Sequence, residues 1–213
     1  MAPIVSIVGH SNSGKTTLIE KLVRELTSRG YRVATIKHTH ETVADMPEKD
    51  TCRHLKAGSK AAGLSTSDRL SLVMTYSREM TVAEIGRFFG EDYDIILTEG
   101  FKTADAPKIE VCRRETGPPL RGITRRLAIV TAEELETEVR RFSPDDVGGL
   151  TDLLESGYII PQVERISLHV NGKPVVLTSF PRRIIASIIT SLVASLKGVG
   201  EITGLDINLR RKR

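Results

Sequence analysis

The stretch Gly9-His10-Ser11-Asn12-Ser13-Gly14-Lys15-Thr16-Thr17 decides how this chain is read. It follows an apolar run, Ile4-Val5-Ser6-Ile7-Val8, and opens a helical pattern from about Lys15 to Ser28. Strand, glycine-bounded loop, Lys-Thr and helix form the context that the phosphate-binding spelling G-x-x-x-x-G-K-[ST] requires. Gly9 lets the backbone turn tightly after the strand, and Gly14 lets it approach a phosphate with no Cβ in the way. The loop amides then point inward at a helix N-terminus, where the helix dipole adds positive potential. Lys15 would reach the β- and γ-phosphates, and the Thr16 hydroxyl would ligate Mg²⁺. The spelling predicts a nucleoside triphosphate site.

Composition limits the alternatives. With 213 residues, 39% of them hydrophobic and 27% charged, the chain suits one medium domain or one domain with a small appendage. No apolar run approaches the roughly 20 residues of a membrane span, and Met1-Ala2-Pro3 leads straight into the first strand without room for a signal peptide. Cys52 and Cys112 stand far apart and match no metal spacing, so reduced thiols in the cytoplasm are expected. The net charge of +4 is modest, and part of it sits in Arg210-Arg211-Lys212-Arg213, read as a solvated tail. With 4% aromatic residues and no tryptophan, base-stacking platforms are scarce. Neither nucleic acid nor membrane is expected as a partner.

Downstream, Leu18, Ile19, Leu22, Val23 and Leu26 give the first helix one apolar stripe, and Gly30 suits its C′ position. Arg32–Lys37 reads as the second strand of a parallel βαβ unit. From His38 to Asp50 the text turns polar, at the sheet edge where open α/β folds bind ligands. This loop reads as a switch segment, with Lys37 and Asp50 facing the nucleotide. His38, His40, His54, Asp45 and Asp50 could also be read as metal ligands, though no closed-site spacing supports it. A helix is expected over Asp50–Ala62, stopped around Gly58 or Gly63, then two short strands, Ala61–Thr66 and Leu70–Tyr76, pairing as a hairpin. Thr81 caps a helix with Glu84 at the capping-box position.

Ile95-Ile96-Leu97 makes a buried parallel strand that ends in Glu99-Gly100. An acid there holds Mg²⁺ in phosphate-loop proteins, so Glu99 becomes the second site residue. Strands follow at Pro107–Cys112 and Leu127–Thr131, and a helix opens at Ser143 with Pro144 at its first position. The base-reading spelling [NT]-K-x-D is absent, which leaves guanine against adenine open. Beyond Pro161, Asn171-Gly172 marks a hairpin, Arg182–Leu196 an amphipathic helix and Glu201–Leu209 a last strand. The fold class is therefore α/β: a doubly wound, mostly parallel sheet with some antiparallel strands over residues 1–160, plus a small ββαβ module over 161–213.

Several phrases together resemble one family. They are Gly9–Thr17, Thr35-Ile36-Lys37-His38-Thr39-His40, Lys49-Asp50 with Arg53-His54 and Lys56-Ala57-Gly58, Leu97–Lys102, and Pro107–Val111. Their order and spacing resemble molybdopterin-guanine dinucleotide biosynthesis protein B (MobB) over roughly residues 3–158. The resemblance implies a GTP-binding adapter with weak GTPase activity, Mg²⁺ as cofactor and a homodimer. It also implies association with the molybdopterin guanylyltransferase that attaches GMP to molybdopterin, with molybdopterin itself a further candidate partner. Residue by residue it carries nucleotide contact to Gly9, His10, Ser11, Asn12, Ser13, Gly14, Lys15, Thr16 and Thr17, the switch acid to Asp50 and the strand-end acid to Glu99. Lys37 and Gly100 join the nucleotide contacts; Lys15, Asp50 and Glu99 would carry catalysis, and Thr16, Asp50 and Glu99 would hold the metal. Two other readings compete on the same residues. A small-molecule kinase or ATP-dependent ligase would use Lys37 on a transferred phosphoryl group and His38 or Asp50 as base. A metallochaperone GTPase would need His38, His40 or Cys52 to bind metal.

Overall fold

The computed structural model describes residues 2–39, 49–90, 92–161, 166, 168–170, 173–175, 177, 179–202, 204–205 and 207. It divides into two compact units, Ala2–Val163 and Glu164–Arg213. In the first unit six parallel strands stand in the order β2-β5-β1-β6-β7-β8. These are β1 (Ile4–Gly9), β2 (Val33–Lys37), β5 (Ile95–Glu99), β6 (Lys108–Val111), β7 (Arg126–Val130) and β8 (Arg140–Phe142). The unbroken apolar spelling of β1 follows from its place: it lies between two neighbours and is buried on both faces.

Helix α1 (Lys15–Ser28) buries Leu18, Ile19, Leu22 and Leu26 against Val5, Ile7, Ile95 and Leu97, and α4 (Val147–Leu154) adds Leu150 and Leu154 to the same layer. The alternate residues Ile36 and Ile96 face the other side, where α3 (Val82–Gly86) packs Val82 and Phe101 closes the layer. Side chains that alternate along each strand thus feed two helical layers, the doubly wound arrangement. Across the sheet, Thr98 donates to Ser6 Oγ at 2.8 Å, which satisfies two hydroxyls buried between β5 and β1.

Several expectations need correction. The second helix, α2, covers Lys49–Lys56 and stops at the first of the two expected glycines, short of Ala62, because Gly58 takes a left-handed φ of 107° and donates to Leu55 O. The hairpin β3 (Ala61–Ser65) and β4 (Leu70–Met74) is antiparallel, as expected, but forms a separate two-stranded sheet. The capping box at Thr81 and Glu84 is present. Pro144 does not start α4: Asp146 is the N-cap and its side chain accepts from Gly149 N at 3.0 Å. After Leu154 the chain widens into a π-helical turn, Glu155–Ile159, closed by Ile160 N donating to Glu155 O at 2.9 Å. Strand β8 was not anticipated, since its Arg140-Arg141-Phe142 lacks the apolar spelling of the other strands; it forms the polar outer edge of the sheet.

In the second unit β9 (Leu168–Val170) pairs antiparallel with β10 (Lys173–Val175), and α5 spans Ser179–Ala194. Asn171-Gly172 and the Arg210–Arg213 tail lie outside the described residues, as do His40 and Asp45. The expected last strand does not form among the described residues between 201 and 207, and its other positions lie outside them. Among the described residues no helix is long and apolar enough to cross a membrane.

Candidate functional site

The site is built where β1, β2 and β5 end. Gly9 closes β1 with φ of 153°; a Cβ there would stand 2.4 Å from Val111 O and 2.6 Å from Ser13 Oγ. Glycine is therefore required by the neighbouring strand as well as by the turn. Asn12 takes the left-handed region (φ 61°), and Gly14, with φ of 98°, forms the N-cap of α1 without a side-chain cap. The loop thus leaves helix N-terminal amides for a ligand. Ser13 Oγ is buried with no hydrogen-bond partner among the described residues, an orphan polar atom of the kind that ligands or water satisfy. Lys15 turns back to donate from Nζ to His10 O at 2.6 Å.

Four charged side chains meet beside this loop. Thr16 Oγ1 donates to Glu99 Oε2 at 2.8 Å, and Lys37 Nζ stands 3.6 Å from Glu99 Oε1. Burial holds the Lys15 ammonium below the ordinary lysine range; Glu99 opposes that shift, while Lys102 and Lys37 add to it by repulsion. Three lysines around one carboxylate leave an excess of positive charge, which a polyphosphate would neutralise. Lys102 had not been singled out for this role. The backbone fixes Glu99 from both neighbours: His38 N donates to Glu99 O at 3.0 Å and Gly100 N to Ile7 O at 3.0 Å. Gly100 takes φ of 101°, and a Cβ there would press on His38 at 3.3 Å. An adjoining cleft of about 430 Å³ runs between α1 and β2, lined by Ile19, Val23 and Ile36 with Thr16, Lys37 and Glu99 at its mouth.

The structure brings Thr16, Lys37 and Glu99 together next to the loop. It leaves Asp50 apart from that group, exposed on the first turn of α2, 3.6 Å from Arg53. His38 is held in a structural role: its ring stacks on Phe101 at 4.5 Å, and Nε2 stands 3.3 Å from Glu79. Cys112 is buried, and burial together with Glu110 pushes its thiol up to about 12, which leaves it an inert thiol. Among the described residues no three His, Cys, Asp or Glu side chains gather as a metal cage.

Comparison with known proteins finds one family throughout. The family model described as "Molybdopterin guanine dinucleotide synthesis protein B" matches residues 4–133. A molybdopterin-guanine dinucleotide biosynthesis adapter protein from Haemophilus influenzae is 34% identical over 157 residues, covering 72% of this chain and 88% of that protein. Its namesake from Escherichia coli is 33% identical over 162 residues, covering 72% and 92%. Among solved structures, molybdopterin-guanine biosynthesis protein B is similar with a TM-score of 0.58 at 28% identity, over 72% of this chain and 98% of that one. Bacillus subtilis MobB gives a TM-score of 0.58 at 25% identity, over 73% and 98%.

The contact at Gly9 yields a direct test. Gly9→Ala should lower the unfolding free energy by about 1–3 kcal/mol, the cost of overpacking against backbone that cannot rotate away. Chemical denaturation reads it, and a change within about 0.5 kcal/mol, typical of a neutral surface substitution, would refute the close approach to Val111.

Proposed function

The chain belongs to the molybdopterin guanine dinucleotide synthesis protein B family, and on that premise we propose that it is a GTP-binding adapter with slow GTPase activity in molybdenum cofactor biosynthesis. The observation that carries the reading is the joining of the phosphate loop to the strand-end acid through Thr16 and Glu99. Nucleotide binding is assigned to residues 1–160, and 161–213 to an accessory module.

The residues present suit a magnesium triphosphate. A hydroxyl and a carboxylate are the hard oxygen donors that Mg²⁺ selects, and the Thr16 oxygen keeps lone pairs free while its proton is donated to Glu99. Thr16 and Glu99 would hold the ion; Asp50, which stands apart from them on the first turn of α2, would join only by leaving Arg53. When bound, Mg²⁺ supplies charge neutralisation to the terminal phosphates. The loop amides from Gly9 to Thr17, with His10, Ser11 and Asn12 at the tip, would enclose the phosphates, and Ser13 Oγ would gain the partner it lacks. Lys15 would exchange His10 O for a phosphate oxygen, and the anion would oppose the lowering of its pKa by burial. Lys37 would pass from Glu99 to a phosphate oxygen. Gly100 would line the nucleotide site beside Glu99, where a Cβ would crowd His38.

This arrangement binds better than it catalyses. Glu99 already accepts from Thr16, and Lys37 stands beside it as a counter-charge. Slow turnover suits an adapter that presents its nucleotide-loaded form to a molybdopterin guanylyltransferase, with molybdopterin as a further ligand of that assembly. The cytoplasm is the proposed compartment. A homodimer is proposed through the β3–β4 hairpin, where Leu70 and Leu72 stand 73% and 52% exposed. A two-stranded hairpin is marginal alone and gains stability from a second surface.

Four measurements test the proposal. In calorimetric titration, Lys15→Ala should weaken magnesium-GTP binding about a hundredfold, on the scale of one charge-assisted contact, and undiminished binding would sink the phosphate-loop reading. Glu99→Gln should retain GTP but slow hydrolysis, an unchanged rate removing Glu99 from its role. In sedimentation equilibrium the protein should run as a dimer that Leu70→Ser with Leu72→Ser converts to monomer. A wild-type monomer contradicts the assembly. Co-precipitation with a molybdopterin guanylyltransferase reads the adapter role itself.

A further inference from the structure

We propose that the nucleoside of the triphosphate lies over the carboxyl ends of β6, β7 and β8, stacked on the guanidinium of Arg113. The proposal rests on the phosphate-loop reading above. Direction comes from the topology. Thr16, Glu99 and Lys37 gather on the side of β1 that carries β5 and β2. Metal and terminal phosphates belong there, so the other end of the ligand leaves along the loop toward β6, on the opposite side of β1.

Arg113 stands on that path. It follows β6, and a Cβ built on Gly14 would meet its Nη2 at 3.1 Å and its Cζ and Nε at 3.4 Å. Three guanidinium atoms at nearly equal distance mean that Arg113 lays one flat face on the phosphate loop, which leaves the other face outward. The side chain is exposed, and among the described residues its guanidinium has neither a hydrogen bond nor an ion pair. A planar cation held by one face is suited to stack a π-system on the other.

The surroundings hold this platform still. Cys112 N donates to Val130 O at 2.9 Å, and Thr116 donates from N and Oγ1 to Arg113 O at 3.0 and 2.9 Å. Glu133, at the end of β7, accepts from Arg114 N at 3.0 Å through Oε1 and from Thr131 Oγ1 at 2.9 Å through Oε2. It is thus a positioning residue that ties the two strand ends together. Farther along the same segment, His10 Nε2 meets Pro118 O at 3.0 Å, which fastens the loop after β6 to the tip of the phosphate loop. Beneath Arg113 is a recess of about 50 Å³ lined by Ser13, Leu18, Val130 and Pro144. It is too small to enclose a base, which leaves the outward face of Arg113 as the stacking surface. Lys21, paired with Asp145 at 2.8 Å, marks the far rim of the recess. The same placement keeps Arg113 from the terminal phosphate, which accords with slow hydrolysis.

The test separates nucleoside from phosphate. Full-length wild type, Arg113→Ala, Arg113→Lys and Lys15→Ala are each titrated with magnesium-GTP and with inorganic tripolyphosphate. Arg113→Ala should weaken GTP about tenfold, the scale of one stacked base, and leave tripolyphosphate unchanged. Arg113→Lys, which keeps charge but not the plane, should recover only part of the GTP loss. Equal loss for both ligands would overturn the proposal by making Arg113 a phosphate contact, and no loss for either would overturn it too. Lys15→Ala reads the underlying premise separately: if it binds both ligands like wild type, the phosphate-loop reading fails and this proposal with it.

Discussion

The hydrogen bond from Thr16 to Glu99, 2.8 Å long between residues 83 apart in sequence, is the contact on which the site depends. It joins the first turn of α1 to the end of β5, and Glu99 in turn carries Lys37 from β2. Three elements therefore converge on one carboxylate. The sheet makes that possible: β5 lies between β1 and β2 in continuous parallel register, so Ile7 and Lys37 are both partners of Glu99. Any change that shifts β5 by one residue would turn Glu99 away from the loop and Thr98 toward it, because side chains alternate along a strand.

Electrostatics gives this convergence its chemical sense. Lys15, Lys37 and Lys102 act on one another around Glu99, a concentration of like charge that is costly in the absence of an anion. Stability given up locally in this way is common at binding sites, where the ligand later supplies the missing charge. The Ser13 hydroxyl, buried and without a partner among the described residues, belongs to the same pattern. By contrast, buried Lys108 is fully satisfied by the carbonyls of Ala104, Ala106 and Thr124 at 2.6, 2.9 and 3.2 Å. Lys108 is a structural tie, whereas the half-buried Lys15 holds only the carbonyl of His10.

Much of this was legible in the sequence, and the physical reasons are plain. The loop from Gly9 to Thr17 is local, and its spelling reflects backbone needs that hold wherever the chain is placed. The apolar run before Glu99 reveals a strand buried on both faces. What stayed hidden depends on tertiary neighbours. Strand β8 has an edge strand's polar spelling, so it did not read as a strand. Pro144 looked like a helix start, but its carbonyl and Asp145 engage Lys21 of α1, and Asp146 takes the cap. Asp50 read as a switch acid, yet its ion pair is with Arg53 three residues on. Arg113 carried no signal at all, because only the fold brings it against Gly14. In the C-terminal unit the hairpin strands and the helix of the expected module form, while the described residues after Gly200 take no strand.

The most direct measurement is a crystal structure of the protein with magnesium and a non-hydrolysable GTP analogue. The account predicts an ion about 2.1 Å from Thr16 Oγ1, the usual magnesium–oxygen distance, with Glu99 held to it directly or through water. Lys15 Nζ should then have left His10 O for a phosphate oxygen. A triphosphate seated away from the Gly9–Thr17 loop, or an ion without Thr16 among its ligands, would contradict it.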